Sequence, residues 1–152
     1  MINRRILLIA TALALVTARP AVAADPLGPL QYIYSNIDKG RESEPFSDSL
    51  NALYEAAAKR SEQLQEPVSG LDFDYAVNGQ DFEEGLAASV EYEIMSQDAN
   101  KAEVRVTFKN FEMQELRYFL IVKSGNWLVD ELVSKTPGYE WTYSELLKDG
   151  AK

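Results

Sequence analysis

The chain reads as an α+β protein: N-terminal helices packed on a curled antiparallel four-stranded meander, with a short helix at the C-terminus. Three observations predict this. Between Leu86 and Val133 two runs alternate apolar and polar residues, the period of a half-buried strand. Ahead of them, two stretches place apolar residues at i, i+3, i+4 and i+7, which is one face of a helix. Short turn sequences separate the later runs, so neighbouring strands connect as antiparallel hairpins.

The first residues stand outside this plan. Arg4 and Arg5 precede an apolar run of eleven residues, Ile6 to Val16, interrupted only by Thr11. Pro20 and the small-x-small series Ala21-Val22-Ala23 follow. This is the layout of a secretory signal peptide over residues 1–23, with the mature chain starting at Ala24 or Asp25. Eleven residues are short against the roughly 20 that span a bilayer. From Ala24 the chain has 129 residues, which fits a single α+β domain over 24–152.

Asp25-Pro26 opens the first helix, an acid at the N-cap and a proline behind it. Its stripe is Leu30, Ile33, Tyr34 and Ile37, and Tyr32 falls beside it. Asp38 to Pro45 reads as a loop. Ser47 caps a second helix with the stripe Leu50, Leu53, Tyr54 and Ala57, running to about Gln63. Leu71 to Phe82 mixes large apolar residues with acids and amides without a period. It reads as an irregular segment crossing from the helices to the sheet.

The first strand carries Ala88, Val90, Tyr92 and Ile94 on one face; the second carries Ala102, Val104, Val106 and Phe108. The third has Leu116, Tyr118, Leu120 and Val122 on one face and Phe119 and Ile121 on the other. It is therefore a central strand, or one with a covered outer face. Ser124-Gly125-Asn126 turns into the fourth, where Trp127 and Val129 share a face. Leu132 rejoins that face only if one residue bulges near Asp130. Thr142-Tyr143-Ser144-Glu145 has the pattern of a capping box before a final helix through Leu146 and Leu147.

Composition excludes several classes of function. Lys and Arg number 15 against 24 Asp and Glu. Without Arg4, Arg5 and Arg19 the balance is 12 against 24, a net charge of −12. Phosphate backbones and anionic membrane surfaces repel such a chain, so neither nucleic acid nor, after signal cleavage, membrane is an expected partner. There is no histidine and no cysteine. Ser/His and Cys/His nucleophile pairs and most zinc chemistry are thereby removed. An exported acidic domain without disulfides fits the periplasm.

The order of elements, the Phe46-Ser47…Leu50…Leu53 helix start, the Leu71-Asp72-Phe73-Asp74 segment with Asn78, Gln80 and Asp81, and the Gly125-Asn126-Trp127-Leu128-Val129 strand start followed by Asp130 and Glu131 resemble one superfamily. It is the nuclear transport factor 2-like, SnoaL-like or cystatin-like superfamily, and within it an exported proteobacterial family of unknown function. The resemblance implies a helix-over-sheet cone with a pocket at its open end, and a possible homodimer through the outer sheet face. It implies no reaction, because the superfamily hosts enzymes and non-catalytic binders alike.

The candidate binding residues are Asp72, Asp74, Tyr75, Asn78, Asp81, Arg117 and Trp127. Counted as a calcium loop from Asp72, the crossing segment has Ala76 and Val77 where a ligand and a glycine are required. No metal site or cofactor is expected. Acids and amides in such a segment more often satisfy loop backbone than bind a ligand. A general base needs burial or a neighbouring carboxylate, and Asp72, Asp74 and Asp81 are the acids most closely embedded among large apolar residues, so they are the candidates. A tyrosine such as Tyr34, Tyr54, Tyr92 or Tyr118 would have to be the partner, although tyrosines on apolar stripes are usually core. Arg117 sits on an otherwise apolar strand, ready to pair with Asp72, Asp74 or Asp130, or else solvated on the outer face.

The expectation is thus an exported periplasmic domain without catalytic activity that binds a small molecule or an envelope protein. An enzyme using a pocket carboxylate with a tyrosine is the alternative. A third reading is an acidic, immunity-like inhibitor that docks a basic protein.

Overall fold

The computed structural model describes residues 25–152, so the expected signal peptide lies outside the described residues. Helices α1 (Leu27–Ser35) and α2 (Asp48–Leu64) come first. The strands are β1 (Glu91–Gln97), β2 (Lys101–Asn110), β3 (Glu112–Lys123), β4 (Asn126–Ser134) and β5 (Trp141–Thr142), and α3 (Tyr143–Gly150) closes the chain. The sheet is open, its order follows the chain from β1 to β5, and every neighbouring pair is antiparallel. Among the described residues no helix is long and apolar enough to cross a membrane.

Helix α2 begins where its Ser47 cap falls, whereas the N-cap of α1 is Pro26, without a side-chain cap, and the expected Asp25 lies one residue outside it. Asp25 Oδ1 accepts from the Leu27 N–H at 2.9 Å. Ser47 Oγ accepts from the Leu50 N–H at 3.2 Å and donates to Asp130 Oδ1 at 2.7 Å. Asp130 is the extra residue of the bulge: Phe119 pairs with Glu131 and Leu120 with Val129. The bulge returns Leu132 to the buried face beside Trp127 and Val129. One device thus keeps β4 in phase and ties it to the start of α2.

The core lies between the helices and the inner face of the sheet. Val104, Val106, Phe108, Leu116, Tyr118, Leu120, Val129 and Leu132 from the strands meet Leu30, Ile33, Tyr34, Leu50 and Ala57 from the helices. Tyr34 stands at the centre, its ring against Tyr92, Phe108 and Tyr118, and its hydroxyl 3.1 Å from that of Tyr118. Burying an aromatic ring of this size stabilises by roughly 1.5–3 kcal/mol.

Four expectations need correction. The sheet has five strands, because Trp141 and Thr142 pair with Ser134 and Val133; two residues are too few to show a period. The first strand begins at Glu91, since Leu86–Ser89 forms a 3₁₀ turn that leaves Ala88 exposed. Ile94 remains 42 % exposed, in keeping with its place on an edge strand. Thr142 makes no side-chain cap; Glu131 Oε1 receives the Ser144 N–H instead, at 3.1 Å. The final helix packs on α2 and the Val68–Gly70 turn, and does not cover the outer face. Gly150 makes that packing possible: a β-carbon there would stand 2.2 Å from the Ser69 carbonyl oxygen.

Candidate functional site

The segment from Leu71 to Phe82 folds into a finger. Asp74 and Gly79 exchange backbone hydrogen bonds at 2.9 and 3.3 Å. Between them Tyr75, Ala76 and Val77 are buried. Asn78 then turns the chain with φ +53°, a conformation that asparagine tolerates better than most residues. The Asn78 side chain joins four elements. Its Nδ2 lies 2.8 Å from Gln114 Oε1, 3.2 Å from Ser134 Oγ and 3.4 Å from Thr136 Oγ1, while Trp141 Nε1 donates to its Oδ1 at 2.8 Å. Asn110 holds the far side of the finger. It donates to the carbonyls of Val77 and Asp81 at 2.9 and 3.0 Å, and accepts from the Glu83 N–H at 3.0 Å. A buried polar network that is satisfied in this way fixes position more sharply than apolar packing.

Two adjoining hollows flank the residues Asn78, Gly79 and Gln80. One, of about 430 Å³, has Asp81, Asn110, Phe111, Glu112, Gln114 and Tyr139 on its walls. The other, of about 340 Å³, is formed with Asp72, Phe73, Tyr139, Glu140 and Trp141. Four carboxylates and four aromatic rings therefore line one groove, and no lysine or arginine does. Phe111 is 65 % exposed and Tyr139 62 %. Phe111 also has φ +60°, uncommon for a bulky side chain. Its N–H is held by Glu83 Oε2 at 2.7 Å, so the ring is presented from a fixed backbone.

On the other side of the finger lies a cleft of about 260 Å³. Arg41 spans it. Its Nε donates to both oxygens of Glu44, at 3.1 and 3.0 Å, and its Nη2 to Asp74 Oδ1, at 3.1 Å. The guanidinium also sits 5.0 Å from the centre of the Tyr75 ring, in range for a cation–π contact. The Tyr75 hydroxyl donates to Glu44 Oε2 at 2.5 Å. Burial, and next the Glu44 carboxylate, push the Tyr75 phenol well above its ordinary value. Burial raises Tyr143, which shares the cleft, in the same direction. These phenols stay protonated at neutral pH.

The seven sequence candidates fall into four places. Asp72, Asn78 and Asp81 meet at the groove, and Asp74 and Tyr75 at the Arg41 cleft. Arg117 belongs to neither. It lies on the outer face of β3, bonded to Glu115 and Glu103 at 3.0 Å each, and pairs with none of Asp72, Asp74 and Asp130. The reason is the strand alternation, which turns odd-numbered positions at this point of β3 away from the core. Trp127 is 4 % exposed and lies in the core at the opposite end of β4. Seven strand residues, roughly 23 Å, separate it from Ser134 and the finger.

Arg41, Glu44, Phe111, Glu112, Tyr139, Glu140 and Trp141 escaped the sequence reading. Arg41 and Glu44 sit in a loop with no period, and only their spacing of three and the opposite charges hint at a pair. Among the described residues no group of three or more acids stands close enough to hold a metal ion. Comparison with known proteins adds no analogue for this arrangement: no family model, no curated protein and no solved structure matches the chain.

Proposed function

We propose that the protein is an exported periplasmic domain without catalytic activity that docks a basic segment of an envelope protein in the groove beside Asn78–Gln80. One observation carries this reading: Asp72, Asp81, Glu112 and Glu140 line the groove together with Phe73, Phe111, Tyr139 and Trp141, without a cationic side chain among them. A lysine or arginine lays its apolar stem on an aromatic wall and offers its charge to a carboxylate. Exposed pairs of this kind contribute about 0–1 kcal/mol each, so charge sets recognition and approach rate, and the exposed Phe111 and Tyr139 supply the contact that holds.

The order of the elements, two helices ahead of an antiparallel meander, supports placing the domain in the nuclear transport factor 2-like superfamily, with a fifth strand added to the four expected. A homodimer through the outer face has its support at Phe119 and Ile121. The centre of that face is an ion ladder of Glu93, Arg105, Glu115, Arg117 and Glu103, which is costly to strip of water.

The enzyme reading has less support. Asp74 is bonded to Arg41 and to the Ala76 N–H. The side chains of Asp72 and Asp81 are exposed and make no hydrogen bond to a described residue. Among the described residues the one carboxylate that receives a tyrosine hydroxyl is Glu44, and Arg41 already occupies both its oxygens.

Titration of the mature protein with oligolysine, followed by Trp fluorescence, addresses the docking reading. Binding should weaken at least tenfold in a Glu112→Gln/Glu140→Gln variant, and again as salt rises to about 0.3 M. Equal binding by the variant and the parent would mean that the groove is not the docking site.

A further inference from the structure

We infer that the Arg41 cleft is a second, independent binding site, built for a small zwitterion of the free α-amino-acid class. The frame of the cleft is closed among its own residues, yet it leaves polar atoms unused. Arg41 spends Nε on Glu44 and one Nη2 proton on Asp74, and its Nη1 bonds to no described residue. The Arg41 side chain is only 11 % exposed. Among the described residues the buried nitrogens without a partner are Arg60 Nε and Trp127 Nε1. Nη1 is not one of them, so it keeps some accessible surface, and Arg41 is on the wall of the cleft. Asp74 Oδ1 accepts from Arg41 and from the Ala76 N–H, while Oδ2 is unused. Tyr54, on the wall of the same cleft, makes no hydrogen bond through its hydroxyl to a described residue.

The charges decide the ligand class. Arg41, Glu44 and Asp74 together carry one net negative charge. A simple carboxylate would reach Nη1 but meet two acids beside it. A simple amine would reach Asp74 but face the guanidinium. A zwitterion puts its carboxylate on Arg41 and its ammonium on Asp74, and both pairs form in partly buried surroundings where they are worth more than in water. Tyr54 and Phe73 offer half-exposed rings for a flat or apolar side chain. The volume of about 260 Å³ lies below the roughly 300–1,000 Å³ of pockets for drug-sized ligands, which restricts the occupant to something of amino-acid size.

A thermal-shift panel of the twenty standard amino acids on the mature protein, each at about 10 mM, should find at least one that raises the midpoint by about 3 °C or more. The N-acetyl derivative of that amino acid and the matching amine without a carboxylate should each bind at least tenfold more weakly by calorimetry. Asp74→Asn should weaken the amino acid at least tenfold, and Tyr54→Phe, which leaves the ion cluster intact, about threefold. Glu112→Gln/Glu140→Gln should leave it unchanged, which separates this site from the groove. A panel without any shift overturns the inference, as does binding in which the amine or the acetylated form equals the parent amino acid.

Discussion

At the Asn126 end of β4, Trp127 packs into an apolar corner with its indole nitrogen unpartnered. At the Ser134 end, the same strand meets Asn78 and Thr136, and the indole nitrogen of Trp141 has a partner at 2.8 Å. Two tryptophans near one strand thus have opposite settings. The first end gains stability from area alone and tolerates a lost hydrogen bond. The second uses amides and hydroxyls to hold a finger of backbone in one place. The second end carries the proposed groove, and a groove needs walls that stay put while its surface remains wet.

The contrast can be broken by substitution, starting where the loss is largest. Trp127→Ala should lower stability by roughly 3–5 kcal/mol in urea unfolding. Trp127→Phe should lose far less, since it also removes an orphaned donor. A loss below about 1 kcal/mol for the alanine variant would place the ring outside the core. Asn78→Ala comes next, at about 2–3 kcal/mol, from the bonds to Trp141 and Gln114 together with the strain of a positive φ. Asn78→Gly relieves the strain and keeps the loss of the bonds, so the two variants should differ by about 1 kcal/mol or more. Equal stability in both would show that the amide, and not the backbone turn, needs asparagine. Arg117→Gln should change stability by less than about 1 kcal/mol, because its partners Glu103 and Glu115 lie on a partly solvated face. Arg105 first, and Arg117 with it, hold the Glu115 carboxyl below its usual range, so Arg105 keeps part of that ladder when Arg117 is gone. A loss of several kcal/mol would move Arg117 from the outer face to the site.

Much of the fold was legible because it is local. The β2 alternation, the Ser47 cap and the need for a bulge near Asp130 each follow from residues within a few positions of one another. What stayed hidden depends on distant partners. Thr142 and Val133 pair across a loop, so β5 has no pattern of its own. Asn78 and Trp141 are 63 positions apart, and Arg41 and Asp74 are 33 apart. The finger at Leu71–Phe82 could be marked as the place of a site because it had no period. Which carboxylates would line the hollows beside it could not be read, since Glu112 and Glu140 look like ordinary surface acids until the finger is folded against them.

The edges of the sheet differ in a way that matters for its growth. Beyond β4 the hydrogen-bonding positions are taken at both ends, by Pro45 and Ser47 on Val129 and by β5 on Val133 and Ser134. Among the described residues β1 has β2 on one side and nothing on the other. An added strand, whether from a partner or from an aggregating copy, finds its long edge at β1, since β5, the other edge, is only two residues long. The entry is guarded by the bulge at Met95, between Ile94 and Ser96, and by Glu91 and Glu93. Net negative charge at that edge is a barrier against the protein's own kind.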